Sequence, residues 1–191
     1  MSELIINTET ETKIEKIEEI LPFELVPPSN EILHAPIPEY NILSLPNPVL
    51  TKLVARLKMT MKMYNGLGLS ANQCGVRERV FVAGTDNFQM VCINPKIIKF
   101  IGEKKKKREG CLTFPGMFLN VPRYESIEVE YYTESGEKKT HTFDGITAHI
   151  FQHEMEHMDG VMFTQHVGPL ALKMAQERQF KLIKKAKRRV K

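Results

Sequence analysis

The most specific chemical signal in the chain is His153-Glu154-Met155-Glu156-His157. On a helix turning ~100° per residue, histidines four apart differ by about 40°, so both imidazoles leave one face and can hold one divalent ion. Glu154, beside such an ion, can take a proton from water. Ile146 and Ile150 share the histidines' face. That predicts a site in the interior, where an apolar surround excludes bulk water and strengthens the field of the ion. Two histidines leave a third protein ligand to be found. A histidine six residues past His157 would complete one metalloprotease pattern, but Phe163 stands there. A glutamate on a following helix would complete another, and Glu177 fits that spacing. Cys111 is the third candidate, preceded by Gly110, which lets the backbone approach closely. A thiolate suits a borderline metal, although an isolated cysteine reads more simply as a small buried hydrophobe.

These residues need elements to hold them. Asp144 is placed to cap a helix over 145–158, and Gly160 to stop it. Asn47-Pro48 reads as an N-cap followed by proline at the first helical position. Leu50, Leu53, Val54, Leu57, Met61 and Tyr64 then recur at helical spacing, predicting an amphipathic helix over 48–64 that ends at Asn65-Gly66. Met59, Met61 and Met63 share no single face and read as packing residues. Strand-like stretches cover 79–84 and 90–98, and 126–133 and 138–143 form a predicted hairpin about a turn at 134–137. The run Lys104–Arg108 reads as a solvated loop between strands. Residues 1–21 read as a frayed helix or arm, and 22–48, with seven of the eleven prolines, as an extended wrap. The predicted architecture is a single α+β domain, with short antiparallel strands packed around a central metal-binding helix and a basic C-terminal helix. Its expected division is an acidic, Pro-rich arm over 1–39, a catalytic unit over 40–170 and the basic helix over 171–191.

Three segments, in order, now carry a family resemblance. GLGLSANQCGV (66–76), EGCLTFPG (109–116) and QHEMEHMDG (152–160) resemble the three signature motifs of peptide deformylases, and the resemblance spans about residues 40–170. It implies a hydrolase that removes the formyl group from the N-terminal formylmethionine of new polypeptides. It implies a metal held by Cys111, His153 and His157, ferrous iron in the cell, with Zn2+, Ni2+ or Co2+ able to take its place. Glu154 would be the catalytic glutamate, and Gln73 with the Leu112 backbone N–H would bind the oxyanion. Gly66, Leu67, Gly68, Gly110, Phe118, Ile146, His149 and Ile150 would meet the substrate. Some positions depart from the usual pattern. Glu156 stands for aspartate, Ser70 for alanine, Thr113-Phe114 for serine and an aliphatic residue, and Phe118 for an arginine.

Composition narrows the remaining classes. The chain has 191 residues, 42% of them hydrophobic, enough for one packed core and inconsistent with global disorder. It has no apolar run long enough to span a membrane, and its acidic N-terminus does not resemble a secretory or transit signal. Three spaced cysteines argue against a disulfide framework and for a reducing cytoplasm, bacterial or that of a bacterial host. Net charge is −6 over 1–31 and +8 over 171–191. The basic end points to a polyanionic partner. The resemblance implies the nascent formylated polypeptide as substrate and the ribosome as that partner, since some deformylases are recruited there through a basic C-terminal helix. Two alternatives stand beside this reading. One is a zinc endopeptidase using His153, His157 and Glu177. The other is a nucleic-acid binder, disfavoured because Phe180 alone in the tail could stack on a base, so no specific DNA partner is expected. The glycines of GLGLS lack the Gly-Lys-Ser/Thr of a phosphate loop.

Overall fold

The computed structural model describes residues 20–85 and 88–189, so all but the end of the expected N-terminal arm over 1–21 lies outside the described residues. Helix α1, Pro48–Met63, starts as its residues dictate: Pro48 sits in the first turn and Asn47 Oδ1 accepts from the Val49 N–H at 2.9 Å. Leu50, Val54, Leu57 and Met61 form its buried stripe. Met59 and Met63 are instead exposed, so of the three methionines only Met61 is a packing residue.

Five antiparallel strands follow in chain order: β1 Gly68–Ser70, β2 Val80–Thr85, β3 Phe88–Gly110, β4 Phe118–Tyr132 and β5 Lys138–Asp144. β3 and β4 run longer than the short strands expected, at 23 and 15 residues. The expected loop Lys104–Arg108 is part of β3, paired residue by residue with Tyr124–Asn120 of β4. Lysine pairs there through its backbone, and its side chains find partners across the ribbon. Lys105 and Lys107 reach Glu125, and the Lys104 ammonium sits over the Tyr124 ring. Register shifts after Ile93, Ile97 and Ile101 bend β3, and Pro95 falls in the first of them, where no ladder N–H is lost.

Alternation along β2 assigns the two faces of the sheet. Val80 and Val82 pack with Leu50, Val54, Leu57 and Leu69, the α1 side. Phe81 and Ala83 pack with Ile127, Val129, Tyr131 and helix α2, Gly145–Met158. The Phe151 ring meets Phe81 edge-on at 5.1 Å. Asp144 occupies the N-cap position of α2 but makes no capping bond; its carboxylate accepts from Ser126 Oγ instead. Gly160 ends the helix region with φ +74°, and a Cβ there would lie 2.9 Å from the backbone of His34 and Ala35. The proline-rich segment is thereby clamped: Leu33 and Ile37 are buried, and the Ile37 N–H donates to Met158 O at 2.7 Å. Helix α3, Pro169–Arg189, packs Leu172 and Ala175 on Met117, Leu119 and Phe163. Gln179 donates to Pro115 O, and from Phe180 to Arg188 the side chains are exposed.

Candidate metal centre and active site

Helix α2 lies buried against the sheet and turns His153 and His157 to one side, their rings 4.8 Å apart and edge-on. Cys111, one residue past β3, brings its Sγ to 3.2 Å from His157 Nε2, which is 3.2 Å from His153 Nε2. The three donor atoms lie within 4.8 Å of one another and all three residues are buried. One soft thiolate and two imidazoles converging from two elements match a tetrahedral N/S site with one position left open. Glu177 is exposed on α3 and is not among the residues whose donor atoms converge here.

Outer contacts hold the donors. His153 Nδ1 is 2.5 Å from Glu109 Oε1, which directs Nε2 toward Cys111 and His157. Glu109 also receives Arg123 through two bonds, at 2.9 and 3.0 Å, and lies 2.6 Å from His149 Nε2. Arg123 in turn reaches Glu156, and Glu156 lies 2.9 Å from His166 Nε2. Glu156, half-buried, thus links Arg123 to His166 behind the histidines. Burial disfavours the Glu109 carboxylate, yet the close approach of His149 and the bonds from His153 and Arg123 outweigh it and hold its pKa far below the ordinary range. Burial likewise opposes the Cys111 thiolate, but the charges and hydrogen bonds of His157 and His153 pull its pKa well down. Burial works against a charged His153, while Cys111 and Glu109 more than reverse this. A divalent cation at that point would supply the positive charge that the imidazole otherwise carries.

Glu154 faces the same hollow. Burial raises its pKa, in part offset by the two histidines and by Ser70 Oγ, which lies 2.8 Å from Glu154 Oε2. Gln73, on the turn Ala71–Cys74, donates Nε2 to Thr113 Oγ1 at 3.0 Å and toward Cys111 Sγ at 3.6 Å. Gly68 has no room for a side chain, since a Cβ there would lie 2.4 Å from Glu154 Oε1. A cavity of about 460 Å³ opens over the cluster. Gln73, Leu112, Glu154 and all eight residues expected to meet substrate line it: Gly66, Leu67, Gly68, Gly110, Phe118, Ile146, His149 and Ile150. One expectation needs correcting: Ile146 is 60% exposed, so it forms the rim of the site and not an interior wall. A larger hollow of about 790 Å³, between Tyr40 and Tyr132, contains none of these groups. The residues that motif spacing missed are Arg123, His166 and the hydroxyl of Ser70. Only Glu109, adjacent to Gly110-Cys111, carried a local signal.

The chain matches the family model for polypeptide deformylase over residues 22–173. It is 35% identical to the peptide deformylase of Aquifex aeolicus over 164 residues, covering 83% of this chain and 95% of that protein. Against the Thermotoga petrophila enzyme the identity is 37% over 120 residues, 63% of this chain and 73% of that one. The crystal structure of a Synechococcus elongatus peptide deformylase in complex with actinonin superposes with a TM-score of 0.78 at 31% identity, over 83% of this chain and 88% of that one. A Legionella pneumophila peptide deformylase gives the same TM-score at 29% identity, over 87% and 98%. The chain therefore belongs to the peptide deformylase family, hydrolases that remove the formyl group from the N-terminus of newly made polypeptides.

Proposed function

We propose that Cys111, His153 and His157 hold the divalent ion of this deformylase, ferrous iron in the cell, and that Glu154 is its general base. The convergence of three buried donors beside a buried carboxylate, with Cys111, His153 and Glu154 lining one cavity, carries this reading. When bound, such an ion acts as a Lewis acid, polarising a carbonyl and acidifying water. Glu154 accepts the proton of the attacking water and passes it to the leaving amine, so formate and a free N-terminus result. The Gln73 carboxamide and the Leu112 N–H supply the donors that an oxyanion needs; losing one such donor typically costs ~3 kcal/mol of barrier. Phe118, Ile146 and Ile150, with the buried ring of His149, give the cavity an apolar side suited to a methionine side chain. The peptide backbone passes Gly66, Leu67, Gly68 and Gly110, where any side chain would collide with Leu112, Glu154 or Phe118 at the glycines. The exposed basic part of α3 docks on the ribosome, and the enzyme works in the cytoplasm.

Glu154→Gln tests the reading. It should keep its metal and lose roughly 10²–10⁴ in kcat on formyl-methionyl peptides, the usual worth of a general base. Full metal with near-normal turnover would overturn it. Cys111→Ser should lower metal stoichiometry in the purified protein, while Glu177→Ala should leave both metal and turnover unchanged.

A further inference from the structure

Ser70 stands where the family pattern usually has alanine, and its hydroxyl is fully buried. It is within bonding distance of two oxygens of one residue, Glu154 Oε2 at 2.8 Å and Glu154 O at 2.9 Å. The other carboxylate oxygen, Oε1, lies over Gly68 at the cavity wall. The backbone N–H of Ser70 meanwhile donates to Gln73 Oε1 at 2.9 Å, which fixes the amide so that its Nε2 points to Thr113 and Cys111. One residue therefore touches both groups that the reaction uses, across 84 positions of sequence in the case of Glu154.

We propose that Ser70 is a positioning residue for the general base. Its O–H donates to Oε2 and fixes the carboxylate plane, leaving Oε1 as the oxygen that takes the proton from water and returns it to the leaving amine. The hydroxyl itself exchanges no proton with substrate. Without it, the carboxylate can rotate about its terminal torsion, which is broad and soft. The lost alignment is then felt in the chemical step and not in substrate binding, because a misoriented base changes the barrier while the cavity walls remain.

The test is Ser70→Ala in the metal-loaded enzyme. It removes only the hydroxyl and keeps the N–H that holds Gln73. We expect kcat to fall about tenfold with KM and metal stoichiometry unchanged, a part of the ~10²–10⁴ that a general base is worth. In a Glu154→Gln background the same change should cost nothing further, since the carboxylate it orients is gone. Ser70→Thr, which keeps the hydroxyl, should recover most of the loss. An unchanged kcat, a rise in KM alone, or an additive loss in the Glu154→Gln background would each overturn the proposal. Loss of metal or of cooperative thermal unfolding in Ser70→Ala would make the hydroxyl structural and overturn it equally. The proposal rests on Glu154 as base, and the two failures separate cleanly. An active Glu154→Gln defeats that reading, whereas a dead Glu154→Gln beside a fully active Ser70→Ala defeats this one alone.

Discussion

At the scale of single residues, the three cysteines show how surroundings divide one chemistry. Burial pushes the Cys74 thiol up to about 12 and Cys92 well above its ordinary value. Cys111 is just as buried, yet the histidines hold it as a thiolate. In metal-stripped protein at neutral pH, iodoacetamide should therefore label Cys111 first, and loading with zinc should protect it. Peptide mass spectrometry reads both, and equal labelling of Cys74 would contradict the assignment. Glu109 makes a second case. Its folded pKa lies below the unfolded value of 4.5, so the stability it adds is full above that pH and is withdrawn as pH falls below it. In urea titrations of metal-free protein, the stability gap between wild type and Glu109→Gln should shrink by ~1.4 kcal/mol per pH unit below about 4.5. A gap that stayed constant from pH 6 to pH 3 would mean that the carboxylate's hydrogen bonds are not what it contributes.

At the scale of elements, α2 works because both of its ends are tied down. Its start follows directly from β5, and its end turns through Gly160 beneath the proline-rich segment. Gly160→Ala combines left-handed strain of ~1–2 kcal/mol with a Cβ 2.9 Å from backbone atoms that cannot swing away. The expected loss is about 2–4 kcal/mol, or roughly 5–10 °C in Tm for a chain of this size. Calorimetry checks this, and an unchanged Tm would mean that the clamp on the 20–47 segment is loose. The same comparison separates two roles of α2. The helix face carrying Phe151 and Met158 holds the fold, while the face carrying His153 and His157 holds the site.

At the scale of the molecule, α3 has two parts with different work. Leu172 and Ala175 complete the cluster that contains Cys111, and Gln179 ties the helix to Pro115. Beyond it, Phe180, Leu182 and Ile183 are exposed among Lys181, Lys184, Lys185 and Lys187. A truncation meant to remove the proposed ribosome contact must therefore cut after Gln179. Cutting after Leu172 would strip packing from beside Cys111. The chain ending at Gln179 should keep full activity on short formylated peptides and lose ribosome binding. For the whole chain, the logarithm of ribosome affinity should fall with the logarithm of salt by ~0.7–0.9 per phosphate contact. Equal affinity of the two chains in sedimentation would rule the contact out. Among the described residues no helix is long and apolar enough to cross a membrane.

The sequence alone determined what depends on neighbours a few residues away. Asn47-Pro48 and the apolar spacing after it specify α1, and the i, i+4 histidines on a half-apolar helix specify where an ion can sit. The motifs EGCLTFPG and GLGLSANQ named residues that do line one cavity. Tertiary structure decided whatever depends on distant partners. Lys104–Arg108 shows no strand alternation because both faces of its ribbon meet water or opposite charge, and only pairing with β4 makes it a strand. Asp144 looked like a cap, yet Ser126 on the neighbouring strand claims its carboxylate. The chain of Glu109, Arg123, Glu156 and His166 joins four segments whose polar side chains look solvated when read in line. Helical periodicity and capping are local and repeat with a fixed period, so they are written in sequence. Buried ion pairs and strand partners are selected by the desolvation that folding itself creates, and their identity exists only once the chain has closed around them.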